Sequence, residues 1–135
     1  MTRHVMIVGC GRLGATAATA LLDRGDRVTI LDTDAENFRR LRPRVRLSMY
    51  VGDGTSHEVL RRTGIESVGA FIAATGRDTT NALAAQSART TFGIEHVVCR
   101  INDPTRSEMY ERLGLTTVNP NQLLIELVLN AMEQL

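Results

Sequence analysis

The stretch from Val5 to Asp34, VMIVGCGRLGATAATALLDRGDRVTILDTD, constrains this chain more than any other. An apolar run, Val5 to Val8, meets Gly9-Cys10-Gly11-Arg12-Leu13-Gly14, and an alanine-rich segment of helical character follows. A second apolar run, Val28 to Leu31, stops at Asp32, eighteen residues beyond Gly14. Strand, glycine turn, helix, strand and acid stand in the order a dinucleotide-binding βαβ unit requires. Gly9 permits the tight turn off the strand, Gly11 leaves bare backbone for a phosphate, and Gly14 removes a side chain where helix must press on strand. The helix that starts here aims unpaired N–H groups and a positive dipole end at such a phosphate. Asp32 stands where an acid would accept from a ribose hydroxyl.

The rest of the chain repeats this alternation. Strands are expected at Leu47–Val51, Ala70–Ala74, His96–Ile101 and Thr116–Val118. Helical segments lie between them, at Asp34–Leu41 with Asp34 near its N-cap, from a Thr55-x-x-Glu58 capping box through Thr63, at Thr79–Phe92 and at Pro104–Leu113. Gly25, Gly64, Gly93 and Gly114 each follow a helical segment, the usual place for a helix-ending glycine. Such alternation implies an α/β fold with a parallel sheet covered on both faces. The specific expectation is a doubly wound, Rossmann-like sheet of six strands in the order 3-2-1-4-5-6.

At 135 residues there is room for one domain and no second core. Apolar residues make up 43% and charged residues 23%, a globular rather than disordered balance, and no apolar run reaches the ~20 residues of a membrane span. Met1-Thr2-Arg3-His4 leads straight into a strand rather than a signal peptide. A net charge of +1 gives no bulk electrostatic case for nucleic acid. Cys10 and Cys99 form no CxxC pair, so reduced cytosolic thiols are expected. All 16 basic residues are arginine, which excludes a P-loop lysine, a Schiff-base lysine and the Tyr-x-x-x-Lys pair of short-chain dehydrogenases. Arg39, Arg40, Arg42, Arg44 and Arg46 form a basic run that reads as a solvated face or, alternatively, an anion-facing or membrane-surface patch.

The final segment, from Asn119-Pro120 through QLLIELVLNAMEQL, differs from the other helices. Its apolar residues, Leu123 to Leu135, cover most of its circumference, more than one domain can bury against a sheet. A second subunit or another domain is expected to cover it. The domain plan is therefore residues 1–118 as the nucleotide-binding unit and 119–135 as a dimerisation helix.

In a sheet of this kind a ligand sits beyond the carboxyl ends of the strands, where strand order reverses. That gathers Gly9, Cys10, Gly11, Arg12, Leu13 and Gly14 with Asp32, Thr33, Asp34, Asp53, Gly54, Thr55, Thr75 and Gly76. Asp32 disfavours a 2′-phosphate by like-charge repulsion, so NAD/NADH or an adenosine nucleotide such as ATP or ADP is expected over NADP. Arg12 could reach a phosphate as a fork of donors or could be an exposed helix-start arginine. Asp53 could accept from an adenine amino group or merely order its turn.

GCGRLG, LDTD, VGDGT, AATGRDTTN and VVCRINDP, in this order along almost the whole chain, resemble the N-terminal nucleotide-binding domain of RCK proteins, also called KTN or TrkA-N. The resemblance implies a cytoplasmic regulatory domain at the inner face of the cell membrane. It would bind NAD(H) or ATP/ADP, form a homodimer or a higher ring, and gate a membrane-embedded potassium channel or transporter. It also implies phosphate contacts from Arg12 and Arg100, if need be across a subunit boundary, and a base contact from Asp53. The last helix resembles the family's crossover helix, and the family's C-terminal lobe has no counterpart in these residues. Where the family commonly has Gly-Asp-Ala-Thr, this chain has Gly52-Asp53-Gly54-Thr55.

Two other classes compete. A small NAD-dependent dehydrogenase would need a catalytic acid or base, for which His57, near the expected crevice, is the candidate; a solvated first-turn histidine is the plainer reading. A redox-sensing repressor would need a recognition helix, and none is evident. No His/Cys/Asp spacing resembles a transition-metal site, while an inter-subunit cation site involving Asp34, Asp53 or Glu126 stays open. The sequence favours binding without turnover.

Overall fold

In the computed structural model, which describes residues 2–134, six parallel strands form one sheet in the order β3-β2-β1-β4-β5-β6. The strands are β1 (His4–Val8), β2 (Arg27–Asp32), β3 (Leu47–Val51), β4 (Ala70–Ala73), β5 (His96–Arg100) and β6 (Thr116–Val118). The helices are α1 (Arg12–Asp23), α2 (His57–Arg62), α3 (Asp78–Gln86), α4 (Pro104–Arg112) and α5 (Pro120–Glu133). Met1, expected ahead of the first strand, and Leu135, expected at the end of the last helix, lie outside the described residues.

The expected sheet order is the observed one, and strand periodicity explains its two cores. Along β1, Val5 and Ile7 point to one face and pack with Val28, Ile30 and the α1 residues Ala15, Ala18 and Leu22. Met6 and Val8 point to the other, with Phe71, Cys99, Leu60 of α2 and the alanines of α3. Both faces of β1 are dry, so its sequence is a continuous apolar run rather than an alternation. Burying a side chain such as Phe71 or Ile30 contributes about 1.5–3 kcal/mol each.

The structure departs from the sequence reading in three local respects. The segment expected as a helix over Asp34–Leu41 is a 3-10 turn, Ala35–Arg40, with Asp34 capping it through Glu36 N–H. The capping box does not form at Thr55. Asp53 Oδ1 accepts from both Thr55 N–H (2.8 Å) and the Thr55 hydroxyl (2.7 Å), so the cap of α2 falls to Ser56, whose hydroxyl accepts from Val59 N–H. The helix expected over Thr79–Phe92 is α-helical only to Gln86, then widens into a π turn over Ser87–Thr91. Gly25, Gly64, Gly93 and Gly114 all take positive φ behind helical segments, as their spacing implies. No helix among the described residues is long and apolar enough to cross a membrane.

The helix α5 packs on almost nothing. Leu123, Leu124, Ile125, Leu127, Val128, Leu129 and Met132 are each 55–61% exposed, and none of its described residues is buried.

Candidate functional site

The glycine turn is built by close backbone contact. Gly9 takes φ +104°, and a Cβ there would lie 2.8 Å from Thr75 N, so the β1 turn rests directly on the end of β4. A Cβ on Gly14 would stand 1.8 Å from the Gly9 carbonyl oxygen, so only glycine lets α1 start under the turn. A Cβ on Gly11 would meet nothing within 4 Å, which leaves this backbone open to a ligand.

The turn opens on a crevice of about 560 Å³ beyond the carboxyl ends of β1 to β5, at the point between β1 and β4 where strand order reverses. Gly9, Gly11, Asp32, Thr33, Asp53, Gly54, Thr55, Thr75, Gly76 and Arg100 line it together. Of the remaining residues expected at the site, Cys10, Arg12, Leu13, Gly14 and Asp34 do not line it. Cys10 is buried, its Sγ donates to the Asn37 carbonyl, and burial together with the Asp32 charge raises its thiol pKa. Gly14 and Leu13 belong to the helix behind the turn, and Asp34 caps the 3-10 segment. Arg12 lines a separate shallow groove along α1 with Ala15, Thr16, Thr19, Ala20, Asp23 and Arg40.

Asp32 is held rigidly. Its Oδ2 accepts from Cys10 N–H (2.8 Å), and its Oδ1 accepts from Asp34 N–H (2.8 Å) and Asn37 Nδ2 (3.0 Å). A carboxylate offers about four lone-pair positions, so these three bonds leave one, on Oδ2, free for an outside donor. Asp53 is mostly exposed, and the Thr55 hydroxyl and amide on its Oδ1 hold its carboxyl below the usual carboxylate range. Its Oδ2 makes no protein hydrogen bond among the described residues.

The helices around the crevice differ in their caps. Ser56, Asp103 and Asn119 cap α2, α4 and α5 through side chains, whereas α1 begins at Gly11 and α3 at Arg77 with no side-chain cap. Both uncapped residues line the crevice, so the first-turn donors of two helices are left to whatever fills it.

Sequence reasoning missed Asn37, Arg77 and Thr80 in the lining, and Asn81 and Asp78 behind it. Asn81 is fully buried. Its Oδ1 accepts from Thr75 N–H (2.9 Å) and the Thr75 hydroxyl (2.6 Å), and its Nδ2 donates to the Thr75 and Arg100 carbonyls (2.9 Å each). Asp78 accepts from Asn102 and Asp103 N–H groups. Polar residues in a first helical turn read as solvated from sequence alone. Asn81 closes on nearby Thr75 but also reaches the Arg100 carbonyl, and Asp78 reaches the loop after β5, so no local signal marks these longer contacts.

Two other readings find little at the crevice. His57 lies outside it, bonded to the Ser87 hydroxyl (3.0 Å) and edge-on to Phe92. Within the basic run, Arg39 pairs with Glu36, Arg44 pairs with Asp23, and Arg40 donates to Asn37 Oδ1. Most of the run is thus engaged locally rather than facing an anion.

The sequence profile of the TrkA-N domain matches residues 5–120, most of the chain. The chain belongs to the TrkA-N domain family. The Trk system potassium uptake protein TrkA of Streptomyces coelicolor is 44% identical over 115 residues, which are 85% of this chain and 52% of the relative. This TrkA-N domain thus spans about half the length of that relative. Solved structures share its fold. The TrkA-N domain of inner membrane protein YbaL from Escherichia coli superposes with TM-score 0.84 at 17% identity and covers 97% of each chain. The Kef CTD of Shewanella denitrificans, in AMP-bound form, gives 0.82 at 20% identity, covering 97% of this chain and 80% of that one. The GsuK channel bound to NAD gives 0.70 at 18% identity, covering 89% of this chain and 22% of that one.

Proposed function

We propose that this domain is a cytoplasmic regulatory module of a potassium-uptake system. It binds NAD(H) or ATP/ADP in the crevice and converts occupancy into a change in the shape of a dimer or ring attached to a membrane-embedded transporter or channel. The observation that supports this most is the Asp32 carboxylate, fixed by three hydrogen bonds with one acceptor position left over, beside the open backbone of Gly11. A ribose hydroxyl donating to Asp32 Oδ2 would place the adjoining phosphates over Gly9–Gly11 and the free donors of α1. The base would then lie toward Val8, Gly54 and Asp53, whose unbonded oxygen is free to accept from an amino group.

The chemistry of the lining favours binding over turnover. Its ionisable side chains are Asp32, Asp53, Arg77 and Arg100, with no histidine, cysteine, tyrosine or lysine among the described lining residues. A general base would have to be a carboxylate already engaged in structural hydrogen bonds. The names of the relatives support a role in potassium uptake, and the apolar surface of α5 supports self-association through that helix. The position of Arg12 on the outer side of α1 favours contact with a neighbouring subunit's ligand over its own. Calorimetric titration with NAD, NADH, ATP and ADP tests the reading. Binding of at least one is expected in the micromolar range or tighter, weakened in Asp32→Ala. Absence of heat from all four at millimolar concentration would refute it.

A further inference from the structure

Asn102 sits two residues beyond β5 and is bonded in three directions. Its Oδ1 accepts from Arg100 Nε at 2.9 Å, and its N–H donates to Asp78 Oδ1 at 2.8 Å. Its carbonyl accepts from Asn119 Nδ2 at 3.1 Å. Asn119 is also the cap of α5, where its Oδ1 accepts from Gln122 N–H at 3.1 Å. A continuous series of hydrogen bonds, passing through the Asn102 backbone, therefore runs from a crevice-lining arginine to the first turn of α5, none of whose described residues is buried.

From these contacts we infer that Asn102 and Asn119 are positioning residues that relay the placement of the Arg100 guanidinium to α5. The inference rests on the nucleotide-binding reading and adds its mode of transmission. The surroundings determine which parts can move. The Arg100 carbonyl is pinned by the fully buried Asn81, and Ile101 N–H is tied to the Val118 carbonyl at 3.0 Å. The backbone at the end of β5 is thus fixed, and a ligand anion can displace only the side chain of Arg100. A guanidinium is planar and rigid, so a pull at its Nη tips swings Nε, which is the atom that holds Asn102. Buried Asp78 holds the N–H groups of both Asn102 and Asp103, so a change at the Asn102 side chain reaches the carbonyl that holds the α5 cap as a tilt of this loop about Asp78. Occupancy then biases α5 because the ligand interacts unequally with the two placements of Arg100, as any such shift requires. If the same bonds did no more than tie loops together, the response of α5 to ligand would not depend on them.

The test uses the 135-residue chain, hydrogen exchange read by mass spectrometry, and whichever of NAD, NADH, ATP and ADP binds tightest in calorimetry. In the wild type, saturating nucleotide should slow exchange across residues 9–14 and change exchange across 119–134 by about fivefold or more. Asn119→Asp keeps a capping acceptor and replaces the donor to the Asn102 carbonyl with a carboxylate oxygen, which breaks that contact. Asn102→Ala removes the Arg100 contact and keeps both backbone bonds. In each variant the 119–134 response should vanish while calorimetric binding and protection at 9–14 persist. A full 119–134 response in both variants would overturn the relay. So would a wild type protected at 9–14 with no change at 119–134. A wild type with neither heat nor protection would instead refute nucleotide binding itself, and the relay with it.

Discussion

At Gly54, where the family motif commonly has alanine, the structure leaves no room for a methyl group. A Cβ added to Gly54 would lie 2.3 Å from Val8 Cγ1 and 2.6 Å from Cγ2, against the roughly 3.5–4.0 Å at which carbons rest. Val8 cannot retreat, because β1 is hydrogen-bonded between β2 and β4 and its branched side chain has few rotamers. Gly54→Ala should therefore destabilise the fold by about 1–3 kcal/mol, the usual range for overpacking. Val8→Ala alone removes two buried methyl groups, at about 0.8 kcal/mol each plus a cavity term, for about 2–3 kcal/mol. In the double variant the added methyl enters the space Val8 vacates, so the loss should fall short of the sum by about 2 kcal/mol. Urea denaturation of the four proteins measures this cycle, with m-values checked for constancy. Additivity within about 0.5 kcal/mol would mean the two sites do not share that space and would refute the reasoning.

Other outcomes follow from the same geometry. Gly14→Ala, with its methyl 1.8 Å from the Gly9 carbonyl, should push α1 off the turn, lower the melting temperature and abolish nucleotide binding together; unchanged affinity would contradict the contact. Asp32→Ala removes the acceptor of three protein donors, so about 10–100-fold weaker binding of every adenine nucleotide is expected by calorimetry, at roughly 1.5–3 kcal/mol for a bond to a charged group. Cys99 has its thiol pKa pushed from 9.0 to about 11, by burial first and then by Asp78. Its contribution to stability is whole below about pH 9 and declines as pH rises toward 11. There the unfolded chain has released the proton that the native state keeps, so stability falls by up to about 1.4 kcal/mol per pH unit. Comparing urea stability of wild type and Cys99→Ala across pH 9–11 checks this, and no lysine titrates to obscure it. Equal slopes would count against the burial argument. Light scattering at high micromolar concentration should find self-association, lost on replacing Leu124 and Leu127 with Gln, because both side chains are exposed and a second copy would bury them.

The parts of the structure legible in the sequence are those specified by local periodicity. Apolar runs at β1 and β2, the Gly9–Gly14 spacing and the helix-ending glycines fix the sheet, its order and the place of the crevice. Competition between neighbouring groups was not legible. Thr55 and Ser56 both offer a capping hydroxyl, and the choice depends on Asp53 capturing the first. The π turn at Ser87–Thr91 is equally hidden, since nothing in SARTT distinguishes it from continued α-helix. Asn81 and Asp78 bind strand ends far away in sequence, so their function as anchors exists only once the sheet is assembled. Arg12 was legible as a residue of the turn, with its two readings left open, and it lines a groove along α1 with Asp23 and Arg40.

The bare helix at the end of the chain separates two kinds of selection. Substitutions along α5 touch almost no neighbour in their own domain, so a folding assay on the isolated polypeptide would pass nearly all of them. The same changes would alter which surfaces this protein can join. Affinity for companions can therefore drift, or be re-engineered, at positions where the sheet and its crevice register nothing.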